Sequence, residues 1–282
     1  MRQIQDLKNI ASQVRRDIIK MVTLAQSGHP GGSLSSTDFV TALFFNDLNC
    51  TAKNWRKDGK GNDMFFLSAG HMTPMYYSIL ARAGYFPVKE LASFRKLGSR
   101  LQGHPSTEVN LPGVHCASGS LGQGLSVAIG AALAKKANGE DNFVYVLVGD
   151  GESEEGQIWE AAMFAAHNKV GNLIAITDWN RQQIDGNVDD VAGLGDLKTK
   201  WKAFGWEVIV ADGHDFTSIL DAYSKARKFA RENSSPVMIL METCMGKGVD
   251  FMEGTCEWHG KAPKPDQAEK ALAQLEETLG DF

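Results

Sequence analysis

The chain has 282 residues, 43% of them hydrophobic, which is enough to fill the core of one large α/β domain. Its formal charge is −5, with lysines and arginines interspersed among the acids and no basic block, so a general polyanion binder is excluded and nucleic acid is not expected as a partner. No apolar run approaches a membrane span, and the N-terminus, MRQIQDLKNIASQVRRDIIK, is charged at helical spacing without a signal-peptide core, so a cytoplasmic protein with no membrane partner is expected.

Asp63–Ser68 reads as the first strand, followed by a helix from about Thr73 to Arg82 that stops at Gly84. ASGSLGQGLSVAIGAALAKKANG then supplies a glycine-rich loop that opens a helix of small residues ending at Gly139. The apolar run Phe143–Val148 predicts a buried strand, and the acidic stretch GDGESEEG leads from it into a helix around Ile158–Ala166. Leu173–Thr177, WEVIVADG and SPVMILMETCMG read as three further strands. Between the last two, Phe216, Ile219, Leu220, Tyr223 and Ala226 form one apolar helical stripe. Strands buried on both faces and alternating with helices predict a doubly wound, mostly parallel α/β sheet with helices on both faces. No repeat or composition break divides the chain, so one domain over 1–282 is expected, ending in a helical tail at about 264–282. The cysteines, Cys50, Cys116, Cys244 and Cys256, form no C-x-x-C pair, so neither a disulfide framework nor a zinc knuckle is expected.

In such sheets ligands collect beyond the carboxyl ends of the strands, where GDGESEEG lies. Its acids suit a helix N-terminus, through capping and the macrodipole. Asp150 fits that account less well, because a glycine on each side marks a sharp turn or a close approach, where a carboxylate can hold a hard cation. The next strand ends in AITDWNRQQIDG, and in a parallel sheet its loop could lie beside the first, letting Asp150 and Asn180 converge. Mg²⁺ takes about six oxygens, one or two from protein and several from phosphate and water, so a diphosphate would complete the shell. The glycine-rich loop offers N–H groups to such a diphosphate, although it matches neither G-x-x-x-x-G-K-[ST] nor the dinucleotide G-x-G-x-x-G.

GDG followed some thirty residues later by an Asn at a strand end resembles the thiamine-diphosphate enzymes. SGHPGGSLS, LSAGHMTPMYY, FRKLGSRLQGHP, GSLGQG and TCEWHGKAP, in that order from about Ala11 to Pro263, resemble the diphosphate-binding N-terminal domain of transketolase. The resemblance implies thiamine diphosphate as cofactor and Mg²⁺ (or Ca²⁺) as metal, held by the side chains of Asp150 and Asn180 and the backbone oxygen of Gln182. Gly151 would pack against the diphosphate, and Gly119, Ser120, Leu121, His71, Asn180 and His259 would touch the cofactor. Glu155 and Glu160 would sit at a subunit interface; Glu152 and Glu154 keep the helix N-terminus account.

Of seven histidines, His167 and His214 read as structural and His115 matches no family histidine, whereas His29, His71, His104 and His259 lie in Gly/Pro-bounded loops that match family motifs. By resemblance, His29 and His259 handle the proton of the ketose hydroxyl, a role suited to neutral imidazole, and His104 positions the donor's polar end. Arg95 would grip a sugar phosphate or sulfonate through forked hydrogen bonds, against the plain alternative of a solvated helix arginine. Ser120 stands where many members have proline, and Met72-Thr73 where Gly-Ser is common, so the sugar itself is not specified. Single-chain transketolases continue into a pyrimidine-binding domain whose glutamate activates the cofactor, and no residue here matches that glutamate. The resemblance thus implies the N-terminal subunit of a split transketolase, two copies with two of a C-terminal partner, moving a two-carbon unit from ketose to aldose. Three alternatives stand beside it. One is another thiamine-diphosphate enzyme of the 1-deoxyxylulose-5-phosphate synthase or 2-oxoacid dehydrogenase kind, which the histidine set disfavours; the others are a NAD-binding domain and a non-catalytic, cofactor-binding regulatory subunit.

Overall fold

The computed structural model describes residues 2–282. Helix α1 (Ile4–Ala25) leads to the short helices α2 (Pro30–Ser35) and α3 (Thr37–Ala42), then to strand β1 (Met64–Leu67) and helix α4 (Thr73–Arg82). After a largely irregular stretch come α5 (Gln123–Ala137), β2 (Val144–Gly149), α6 (Gly156–His167) and β3 (Leu173–Trp179). A small ribbon, β4 (Gln182–Gln183) with β5 (Gly186–Asn187), precedes α7 (Val188–Ala192) and α8 (Leu197–Ala203). The chain closes with β6 (Glu207–Asp212), α9 (Phe216–Asn233), β7 (Val237–Glu242) and α10 (Pro265–Gln274).

The five main strands run in the order β1-β2-β3-β7-β6, every adjacent pair parallel. Because strand side chains alternate with period two, each strand feeds two cores. Tyr145, Leu147, Ile174, Ile176 and Ile239 face one side, where they meet Ile18 of α1, Ile79 of α4 and Ile219 of α9. Val144, Val146, Val148, Ala175 and Leu240 face the other, against Ile129 of α5, Ile158 of α6 and Trp201 of α8. Both faces are therefore covered, which is why the strands read as continuous apolar runs.

Helix α9 shows how local chemistry sets these boundaries. The Asp215 carboxylate accepts the N–H groups of Thr217 and Ser218 at 3.2 and 3.1 Å, capping the start, and Phe216, Ile219, Tyr223 and Ala226 are buried with Leu220 at the edge of the core. Strand β7 inserts between β3 and β6 although β6 comes first in the chain, an order that local patterning does not contain. The segment read as a helical tail over 264–282 is helical only at Pro265–Gln274. Beyond it the backbone bonds to α1 instead of to itself: the Gln13 side-chain oxygen accepts the N–H groups of Thr278 and Leu279, and Arg16 grips Asp281 with two hydrogen bonds at 2.9 and 2.8 Å.

Candidate functional site

Strands β2 and β3 pair with Gly149 opposite Asp178, so the turns that follow them emerge side by side. Asp150 touches the neighbouring turn directly: one carboxylate oxygen accepts the backbone N–H of Arg181 at 2.5 Å, the other that of Gly151 at 2.8 Å. The Asn180 side-chain NH₂ donates to Asp178 at 2.8 Å, which turns its oxygen the other way, where it accepts the N–H of Gln182 at 2.9 Å. Asp178 is fully buried and is held in turn by the hydroxyls of Ser35 and Thr243. Burial pushes the Asp150 carboxyl up to about 8, and the neighbouring charge of Asp178 pushes the same way. Asp150, Asn180 and Gln182 line one cavity together with Gly151, Leu121, His71 and His259.

Four histidines from four segments cluster beside that cavity, and His71 and His259 line it. His29 stands just before α2, where Pro30 starts the helix; His71 lies in a 3-10 turn directly after β1; His104 is in the long loop before α5; His259 ends the 3-10 turn Cys256–Trp258. The His29 ring lies 5.2 Å from His71, 5.7 Å from His259 and 6.3 Å from His104, and His71 lies 5.0 Å from His259. The Nδ1 atoms of His29 and His259 are buried without a hydrogen-bond partner, as expected of groups that await a ligand. Burial lowers the pKa of all four, and His29 is brought down to about 4 with help from His259, Arg95 and His104. At neutral pH they are uncharged and able to accept protons.

Arg95 is half-buried, not solvated on a helix. Its backbone is left-handed (φ 58°), its guanidinium donates to Ser27 Oγ at 2.9 Å and to the Gly103 carbonyl at 3.4 Å, and its Nε is buried without a partner. Gly119 and Ser120 are exposed at the rim, and only Leu121 of that loop lines the cavity. The loop comes close because Gly70 lacks a side chain: a Cβ there would lie 2.7 Å from the Gly119 nitrogen.

The acidic turn requires a correction. Glu152 and Glu154 do not begin the helix; they occupy a separate 3-10 turn, Gly151–Glu154, ahead of α6. Glu152 is 2% exposed and points inward, accepting the N–H of Gly122 at 2.9 Å, the N–H of Gly149 at 3.0 Å and the Ser68 hydroxyl. Glu154 is half-buried on the cavity wall, 3.4 Å from the Gln183 amide. Glu155 and Glu160 are exposed, the latter in a groove between α5 and α6 near the exposed Met163 and Phe164.

His115 packs on Trp55, whose indole N–H donates to it, and His167 ends α6. His214 bonds Asp38 through Nδ1 at 2.9 Å and accepts the Cys244 N–H at 3.0 Å through Nε2, bracing the loop that carries Met245 to the cavity. Sequence reasoning passed over Asp178 and Glu152. An aspartate inside the apolar strand LIAITDW was itself a signal, since a buried charge requires hydrogen-bond partners. Glu152 carried no such mark.

Among the described residues no helix is long and apolar enough to cross a membrane. An open parallel sheet with a carboxylate, an amide and a glycine turn at its carboxyl edge defines an α/β protein built to hold a ligand there. The chain belongs to the transketolase family: residues 7–280 match the model for the transketolase thiamine diphosphate binding domain. It is 39% identical over 273 residues to a subunit of 6-deoxy-6-sulfo-D-fructose transketolase from a Clostridium species, covering 96% of each chain. It is 38% identical, again over 96% of each, to one of the subunits of apulose-4-phosphate transketolase from Actinobacillus succinogenes. Human transketolase is 35% identical over 96% of this chain, which spans 42% of the human protein. The fold matches the crystal structure of Campylobacter jejuni transketolase with a TM-score of 0.89 at 35% identity, over 97% of this chain and 43% of that one.

Proposed function

We propose that this chain is the cofactor-binding subunit of a two-subunit transketolase of the cytoplasm, transferring a two-carbon ketol unit from an anionic ketose to an aldose. The observation that carries the reading is the convergence of Asp150 and Asn180 with His71 and His259 on one cavity, and the packing of His29 against both of those histidines and against His104. Thiamine diphosphate bound there would supply the electron sink for carbon–carbon cleavage. The donor set fits a hard divalent cation, Mg²⁺ or Ca²⁺: Asp150 and Asn180 offer oxygens, Gln182 a backbone carbonyl, and among the described residues Asp150 is met by backbone N–H groups and by no lysine or arginine side chain. Gly151 keeps the turn low, since a Cβ there would lie 2.7 Å from the Gln183 side chain, leaving the space beside it for a diphosphate.

His71 and His259 face that cofactor position. His29 and His259, neutral and with unpartnered Nδ1 atoms, accept the ketose hydroxyl proton and return it. His104, beside His29, and Arg95 hold the sugar's polar end, and the unpartnered Arg95 Nε suits an anionic group there. Relatives of matching length are named as subunits and two of them carry sulfosugar or sugar-phosphate names, which supports both a partner chain and an anionic substrate. That partner carries the pyrimidine-binding domain and its activating glutamate, in two copies with two of this chain. Glu155, Glu160 and the apolar Met163 and Phe164 lie on the face it covers. The 282 residues act as one diphosphate-binding domain.

The test is reconstitution. The partner is recovered by purifying the complex from its native cell, and ketol transfer is assayed for each chain and for the mixture with Mg²⁺ and thiamine diphosphate. Activity confined to the mixture supports the reading. Substantial turnover by this chain alone overturns it, because some acid within it would then have to activate the cofactor.

A further inference from the structure

Glu152 has no part in the proton transfers above, yet it is among the most fully engaged carboxylates in the molecule. Its three donors come from three elements: Ser68 just after β1, Gly122 at the start of α5, and Gly149 at the end of β2. Each element carries one wall of the site. Ser68 precedes His71 by one tight turn, Gly122 closes the loop of Gly119, Ser120 and Leu121, and Gly149 adjoins Asp150. The junction has no slack: a Cβ on Gly124 would lie 2.4 Å from Ser68 Oγ, and Gly122 has φ 84°, a left-handed conformation that glycine adopts without strain. A carboxylate at the N-terminus of the 15-residue helix α5 also meets the positive end of its dipole.

We propose that Glu152 is a positioning residue that locks the glycine loop and the Asp150 turn into one rigid cradle before cofactor arrives. The inference rests on the functional reading above only in what the cradle holds. Glutamine is the informative replacement, because its shape is retained while one oxygen becomes an NH₂ group. With its remaining oxygen toward Ser68 and Gly122, that NH₂ confronts the Gly149 N–H; turned round, it confronts the Gly122 N–H.

The experiment compares the full-length wild-type chain with Glu152→Gln, and with Ser68→Ala as a milder variant that deletes one donor. Without cofactor, amide hydrogen exchange in Glu152→Gln should accelerate about tenfold or more at residues 119–124 and 149–151 and stay at wild-type rates in β3, β7 and α9. Ser68→Ala should accelerate the same segments less. In the two-chain complex, the Kd for thiamine diphosphate in the presence of Mg²⁺ should rise about 10- to 100-fold, with KM for the ketose within about twofold of wild type. Wild-type exchange rates in those two segments, or a uniform rise over the whole chain, overturns the inference, the latter because it marks a merely structural residue. An unchanged cofactor Kd also overturns it. A wild-type complex that binds no thiamine diphosphate breaks the functional reading instead, a result the variants do not affect.

Discussion

Buried carboxylates are treated differently in two regions of this protein. In the helical layer they are matched with cations: Asp17 takes two hydrogen bonds from Arg82 at 2.8 Å, Asp38 two from Arg15 at 2.8 and 2.7 Å, and Asp47 lies 2.5 Å from Arg227. At the carboxyl ends of β2 and β3, Asp150, Glu152 and Asp178 are equally buried but, among the described residues, are met only by N–H and O–H donors. Burial accordingly raises the pKa of all three. The first region balances its own charge and is complete as folded. The second leaves its carboxyls buried without a cation and so raised in pKa, an arrangement that a bound cation would complete.

The strongest way to break this comparison is to remove one acid from each region. Asp150→Ala should abolish Mg²⁺-dependent thiamine diphosphate binding by calorimetry in the reconstituted complex, yet cost the free chain no more than about 2 kcal/mol, because relief of the carboxyl's burial offsets the loss of its bonds to the Arg181 and Gly151 N–H groups. Asp17→Ala should leave the site intact and cost about 3–5 kcal/mol in denaturant unfolding, because it strands the Arg82 charge in a buried position. If both substitutions destabilise the free chain alike, the two regions do not differ.

Next in size are the proton carriers beside the uncompensated acids. His259→Ala or His29→Ala should lower turnover of the complex by about 10²- to 10⁴-fold with a much smaller loss of cofactor affinity. Turnover near wild type would make those histidines structural.

The smallest effect sharpens the comparison through pH. His29 has a folded pKa of about 4 against an ordinary 6.5, so between those values the unfolded chain binds a proton that the folded chain refuses. Its contribution to stability is present above pH 6.5 and is lost as pH falls toward 4. Thermal melts across that window should therefore show a steeper decline for wild type than for His29→Gln, and parallel curves would refute the neutral buried state.

Local chemistry made much of this molecule readable from its residues. Apolar runs bounded by glycine marked β2 and β3, the capped stripe marked α9, and GDG with a later Asn marked the two turns that meet, because strand period, helix period and turn propensity act over a few neighbouring residues. The histidine motifs were legible for the same reason: each is a short loop with its own glycine or proline. What could not be read depended on groups far apart in the chain. The place of β7 between β3 and β6 follows from packing of both sheet faces. The direction of the Asn180 amide follows from Asp178, which Thr243 and Ser35 hold from elsewhere in the chain. Glu152 and Glu155 are the same residue type within one eight-residue turn, yet one is buried on three donors and the other faces solvent. Neither composition nor spacing separates them, since a carboxylate's role is set by whichever donors and cations the folded chain brings within about 3 Å of it.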